Sequence, residues 1–178
     1  MEWDLYFLNI AKEVSKQSKC LSRQIGAVLV QDKTIISTGY NGPARGVKHC
    51  NERDLTFYYN ISRTFDKTKL YSSLTAGKDI CPRQKLGYSS GQGLQLCQAG
   101  HAERNALIQC ARHGVITKGA TLYCYCGQVC KDCAIEIVNA GIKELVYLAG
   151  CNVYDKYAEV ILRESGIEVR TIMEERDE

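Results

Sequence analysis

Along residues 1–16, Trp3, Tyr6, Phe7, Ile10 and Val14 recur at helical spacing, with acids and lysines between them, which predicts an amphipathic packing helix. Ile25-Gly26-Ala27-Val28-Leu29-Val30 is then a short apolar run rich in β-branched residues. Gln31-Asp32-Lys33 interrupts it and Thr34-Ile35-Ile36-Ser37-Thr38-Gly39-Tyr40 resumes it, so the pair reads as an antiparallel hairpin. Asn41-Gly42-Pro43-Ala44-Arg45-Gly46 is a loop by composition.

Periodicity fades over residues 51–100. A short helix is expected over 54–63, followed by polar, glycine-rich sequence with scattered apolar residues. So long a stretch without strong periodicity in a compact domain is functional, stapled by metal or partly disordered.

From residue 101 the pattern is regular again. Residues 101–113 read as a helix with Ala102, Ala106, Leu107 and Cys110 on its buried side and a stop at Gly114. A strand follows at 121–125, a helix at 131–140 stopped by Gly141, a strand at 144–148, a helix at 154–164 and a last strand at 167–172. Strand, helix, strand, helix, strand implies parallel pairing through right-handed crossovers. With the hairpin added, the expected fold is α/β: a five-stranded mixed sheet with helices on both faces, three layers α/β/α.

Length and composition narrow this picture only a little. The 178 residues suit a single domain, 1–178, with a cysteine-bearing insert at about 51–100. A net charge of +3 is too mild to argue for a nucleic-acid face and suits a small anionic ligand as well. The N-terminus has no apolar run for a signal peptide or a membrane span, so a cytoplasmic location is expected. Ten cysteines then require metal binding, catalysis or burial rather than disulfides, and Cys110, mid-helix among alanines, reads as a buried free thiol.

The strongest chemical signal is His101-Ala102-Glu103 together with Cys130-x-x-Cys133. A hydrolytic zinc needs three protein ligands and one open position. An imidazole and two thiolates, each at the start of a helix, supply such a set, and the helix N-termini help to keep the sulfurs ionised. Glu103 lies two residues from the imidazole. Either motif alone is common, as a helix-surface pair or as a redox or structural-zinc pair. Together they match H-x-E…P-C-x-x-C, the signature of zinc nucleobase deaminases, where the glutamate moves protons and is not a ligand. Val129 stands where that signature has proline, and Cys126 and Cys124 are neighbouring thiols that compete for the metal.

The segments SKCLSRQIGAVLVQDKTIISTGYNGPARGVKHC, CPR, LCQAGHAERNAL, KGATLYCY, CKDCAIEIVNAGIKELVY and YDKYAEVILRESGIEV resemble the cytidine and deoxycytidylate deaminase family, most of all its deoxycytidylate (dCMP) branch from bacteria and viruses. The departures are Val129, a longer insert between Cys50 and Cys81, and an extra residue between Tyr123 and Cys130. The resemblance implies a cytidine deaminase-like fold and conversion of dCMP to dUMP and ammonia, feeding thymidylate synthesis. It implies catalytic zinc on His101, Cys130 and Cys133, with Glu103 as proton shuttle. Asn41 corresponds to a sugar contact, the Ala102 N–H to a contact with the base carbonyl, and Tyr154 to a contact near the sugar-phosphate.

A second, structural zinc is implied on Cys20, Cys50, Cys81 and Cys97, with His49 as an alternative ligand; such an ion would pin an insert short of apolar surface. The family also implies activation by dCTP, inhibition by dTTP, a Mg2+ ion accompanying the effector, and a homo-oligomer such as a hexamer. The loop 42–48, with Arg45 and Lys48, resembles the effector region, although solvated surface charge is the commoner role for such residues. Two other readings keep the same core. One is a tRNA or single-stranded nucleic-acid deaminase, to which Tyr58, Tyr59, Arg63 and Lys67 give slight support. The other is a zinc-stapled binding module with a decayed site, against which the intact Glu103 argues.

Overall fold

Thr34–Tyr40 (β2) folds back on Gly26–Gln31 (β1) through a turn of two residues. Asp32 and Lys33 carry that turn with φ of 50° and 60°, the left-handed pair whose twist suits a tight hairpin. The computed structural model describes residues 2–52, 80–89, 92–125, 127–148 and 155–173. The helix expected over 54–63, the residues Tyr58, Tyr59, Arg63 and Lys67, and Cys126 and Tyr154 lie outside these.

The remaining elements are α1 (Glu2–Ser15), β3 (Gly42–Pro43), α2 (Pro82–Lys85), β4 (Ala99–Gly100), α3 (Ala102–His113), β5 (Thr121–Tyr125), α4 (Lys131–Asn139), β6 (Glu144–Leu148), α5 (Lys156–Ser165) and β7 (Glu168–Ile172). The five-stranded sheet has the order β2-β1-β5-β6-β7. β1 is antiparallel to β2 and β5, while β5–β6 and β6–β7 are parallel, which is the mixed sheet the strand and helix order implied.

The described residues cluster as two compact units. The first comprises residues 1–18, 25–41 and 100–178 and holds the main sheet. Alternation along β1 divides its core. Ala27 and Leu29 face α3, α4 and α5, whose Ala106, Cys110, Ile137, Ala158 and Leu162 are buried against Leu122 and Leu145. Val28 and Val30 face α1, where Phe7, Leu8 and Ala11 meet Tyr123 and Val146. This is the three-layer α/β/α arrangement.

The buried face of α1 is rotated from the one the periodicity predicts. Phe7, Leu8 and Ala11 are its core residues, while Trp3 and Tyr6 are about half exposed. Two contacts explain the rotation. Gly26 lets the helix backbone lie on the strand, since a Cβ there would stand 2.0 Å from the Ala11 carbonyl oxygen. Asp4 is drawn inward by Arg170 on β7, which donates from Nη1 at 2.8 Å and from Nη2 at 3.0 Å. The Tyr123 hydroxyl donates to the same carboxylate at 3.0 Å. Arg170 Nε continues the network to Glu144 at 2.6 Å, and the Thr121 hydroxyl donates to the other Glu144 oxygen at 2.9 Å. The Arg170 guanidinium holds the Asp4 carboxyl below its ordinary range, and burial pushes the Tyr123 phenol up.

The second unit comprises residues 19–24 and 42–99. Among its described residues the helical elements are short, at Cys50–Glu52, Pro82–Lys85 and Leu94–Leu96. The His49 N–H donates to the Glu52 carboxylate at 2.7 Å across one turn. Arg83, buried at the first turn of α2, donates to the Gln92 carbonyl, and the Tyr88 N–H returns to the Arg83 carbonyl at 3.0 Å. Among the described residues no helix is long and apolar enough to cross a membrane.

Candidate metal centre

β2 and β5 are both antiparallel to β1, so they run in the same direction and end at the same edge of the sheet. α3 begins beside the end of β2, where Asn105 reaches the Tyr40 carbonyl, and α4 begins shortly after β5. Topology therefore brings two helix N-termini to one edge. Each starts from a residue of extended backbone: His101 caps α3 (φ −71°, ψ 156°) and Cys130 caps α4 (φ −78°, ψ 166°). Cys133 lies one turn into α4.

This placement draws three ligand atoms together. His101 Nδ1 is 3.3 Å from Cys130 Sγ and 3.3 Å from Cys133 Sγ. Among the described residues, His101, Cys130 and Cys133 are the one group of three such ligands mutually within 4.8 Å. Tetrahedral zinc, with bonds of roughly 2.0–2.1 Å to nitrogen and 2.3 Å to sulfur, sets N···S edges of about 3.6 Å. The observed spacing and the imidazole–dithiolate chemistry fit that ion. The donor set is already poised: Cys130 Sγ accepts the Cys133 N–H at 3.4 Å at the positive end of α4. Hydrogen bonding from the Cys133 thiol, then from His101, pulls the Cys130 thiol well below its ordinary range. The same hydrogen bond, with burial, pushes Cys133 up, and the bond to Cys130 raises His101.

Glu103 sits in the first turn of α3 and is 4% exposed. Among the described residues its buried Oε2 has no hydrogen-bond partner, and burial pushes the carboxyl above its ordinary range. A buried acceptor left unsatisfied costs about 1–3 kcal/mol, so Oε2 is suited to accept from a donor bound beside it. A brace that spacing did not reveal lies alongside: Arg104 of α3 donates from Nε at 2.9 Å to Glu136 of α4, with Nη2 2.8 Å from the other oxygen. It ties the helix of the histidine to the helix of the cysteines.

The other expected residues divide. Asn41 is buried at the end of β2, where its Oδ1 accepts the Ile25 N–H at 2.8 Å and its carbonyl accepts the Ser18 hydroxyl at 2.7 Å. Ala102 is fully buried at the start of α3. Val129 and Cys124 are buried in the core beside α4, and neither Cys124 nor Cys110 joins the ligand group. Cys81 is buried and Cys20, Cys50 and Cys97 are half-buried, but no three of these thiols, with or without His49, lie within 4.8 Å of one another. Arg45 and Lys48 are exposed.

Comparison with known proteins agrees with this geometry. Residues 1–149 match the family described as the cytidine and deoxycytidylate deaminase zinc-binding region. The deoxycytidylate deaminase of Schizosaccharomyces pombe is 34% identical over 168 residues, 94% of this chain and 43% of its own length. The chain thus spans less than half of that yeast relative. The deoxycytidylate deaminase of Enterobacteria phage T4 is 37% identical over 180 residues, covering 91% of this chain and 86% of its own. The dCMP deaminase of the cyanophage S-TIM5, solved in complex with dCMP and dUMP, superposes with a TM-score of 0.67 at 22% identity, covering 96% and 97% of the two chains.

Proposed function

This chain belongs to the cytidine and deoxycytidylate deaminase family, and from that membership we propose that it hydrolyses dCMP to dUMP and ammonia, supplying dUMP for thymidylate synthesis. The observation that carries the reading is Glu103, a dry carboxylate whose Oε2 lacks a partner, two residues from an imidazole that stands against two thiols. When bound to His101, Cys130 and Cys133, zinc supplies a water that ionises near pH 7 rather than at about 15.7. The roles of the chain's own groups are carried over from the family resemblance. Glu103 Oε2 takes up the proton of the attacking water, gives it to the ring nitrogen and then assists the departure of ammonia. The Ala102 N–H, at the positive end of α3, meets the base carbonyl. Asn41, fixed at the same sheet edge by its bond from Ile25, contacts the sugar, and Tyr154 contacts the sugar-phosphate. The Arg104–Glu136 brace holds α3 and α4 in register while the charge moves.

Support for dCMP comes from the relatives named as dCMP deaminases, two of which are covered by this chain over more than four-fifths of their length. The test is a side-by-side assay of dCMP, dCTP, deoxycytidine, cytidine and tRNA, with and without dCTP and dTTP as effectors. Turnover of dCMP above the others is expected. Rapid deamination of tRNA with none of dCMP overturns the reading in favour of a nucleic-acid deaminase.

The reading extends to regulation and assembly. Activation by dCTP with Mg2+, inhibition by dTTP and a homo-oligomer follow from family resemblance, as does the structural zinc on Cys20, Cys50, Cys81 and Cys97. Effector titrations, mass measurement in solution and metal counting decide each in turn. A cytoplasmic location belongs to the same proposal, and fractionation of the expressing cells tests it.

A further inference from the structure

The metal centre demands that α3 present His101 Nδ1 to two sulfurs on a different helix, so the height and axial position of α3 on the sheet set the ligand geometry. Two features of β2 and α3 fix both. At Gly39 the strand has no side chain, and a Cβ there would lie 2.3 Å from the Ala102 carbonyl oxygen and 2.4 Å from the Ala106 nitrogen. Strand and helix therefore meet backbone to backbone, and the Ser37 hydroxyl fastens the contact by donating to the Ala106 carbonyl at 2.8 Å. Asn105 supplies the axial stop. Its Nδ2 donates to the Tyr40 carbonyl at 2.8 Å and to the Gly100 carbonyl at 3.4 Å. Its Oδ1 occupies the space over Gly100, 2.8 Å from where a Cβ would be. Its own N–H donates to the His101 carbonyl at 2.9 Å.

The geometry points to Asn105 as a positioning residue for the metal centre, holding the end of β2, the residue preceding His101 and the first turn of α3 in one register, with Gly39 as the floor on which that turn rests. No other side chain of similar size does this. Aspartate would set anionic oxygen against two carbonyls, and alanine or serine would not reach them. Asn105 does not belong to the ligand group; it acts through the backbone that carries His101 and Glu103. The inference rests on the reading of His101, Cys130 and Cys133 as a zinc site.

The test compares zinc-loaded parent, Asn105→Ala and Gly39→Ala proteins in competition with a chelator of known zinc affinity, together with kcat and KM for dCMP and the thermal midpoint. Loss of a group that orients a ligand from behind typically weakens metal binding by 10–100-fold. Asn105→Ala is expected to weaken zinc about tenfold and to lower kcat with KM unchanged, and Gly39→Ala, if it folds, to move zinc affinity in the same direction. A lower thermal midpoint with zinc affinity and kcat equal to the parent's would make Asn105 a tie of the fold only and overturns the proposal. A parent protein that binds no zinc overturns the reading of the site itself, a result separable from any effect of Asn105.

Discussion

Replacing Arg170 by alanine removes a cation that the structure sets between Asp4 and Glu144. Asp4 loses two charge-assisted hydrogen bonds, at 2.8 and 3.0 Å, and keeps the one from Tyr123. Glu144 loses the bond at 2.6 Å and keeps the one from Thr121. The side chains of Asp4 and Glu144 are 9% and 15% exposed, so water replaces the lost partner poorly, whereas Arg170 itself is 35% exposed and its pairing is partly screened. Breaking a buried pair costs about 3–5 kcal/mol; allowing for the exposure of Arg170, we expect a loss of roughly 2 kcal/mol. For a chain of this size that lowers Tm by about 4–8 °C. Urea unfolding of both proteins, zinc-loaded, measures it.

The pH dependence has a definite sign. The folded-state pKa of Asp4 is depressed, so its contribution is fully present above the ordinary carboxylate value and is lost as pH falls through the depressed one. The gap between parent and Arg170→Ala should therefore be constant near neutral pH and narrow below about pH 4. Equal stability at pH 7, or a gap that does not shrink in acid, would refute the argument that this pair fastens α1 to β7.

Other perturbations test other links. Gly26→Ala places a methyl 2.0 Å from the Ala11 carbonyl oxygen, so α1 must lift from β1; a loss of about 1–3 kcal/mol in urea melts is expected, and neutral behaviour contradicts that packing. Ser37→Ala removes the hydroxyl bond to the Ala106 carbonyl, which keeps its bond within the helix, and should cost about 1 kcal/mol, read from the same melts. Metal analysis of the parent and of Cys20→Ser, Cys50→Ser and Cys81→Ser decides the second site: two zincs falling to one support the structural zinc that the family resemblance implies, and a single zinc throughout leaves only the His101–Cys130–Cys133 centre.

The parts of the fold legible in the sequence are those where one element's periodicity decides its own state. The strands at Thr121–Tyr125 and Glu144–Leu148 lie where the apolar runs put them. The helix expected from residue 154 instead begins at Lys156, because Asp155 caps it, accepting the Tyr157 N–H at 3.1 Å and the Lys131 N–H at 2.7 Å. A cap that also serves a second helix leaves no periodic trace. The convergence of His101, Cys130 and Cys133 could be read from spacing because a three-ligand group at two helix starts constrains neighbours in sequence. Arg170–Asp4 and Arg104–Glu136 could not, since their partners are distant along the chain and salt-bridging residues look like any solvated charge. Trp3 and Tyr6 misled for a related reason: large apolar side chains dominate a periodicity argument, while the packing of α1 is decided by the absence of a side chain at Gly26.

In the proposed reaction buried Glu103, beside a His-Cys-Cys zinc, moves the protons of dCMP deamination. Ammonia release from dCMP, measured for the parent and for Glu103→Ala at matched zinc content, tests it most directly. The parent is expected to turn over dCMP, and the variant to keep its zinc and its fold while kcat falls by about 100- to 10,000-fold. A zinc-loaded Glu103→Ala protein that releases ammonia at the parent's rate would contradict it.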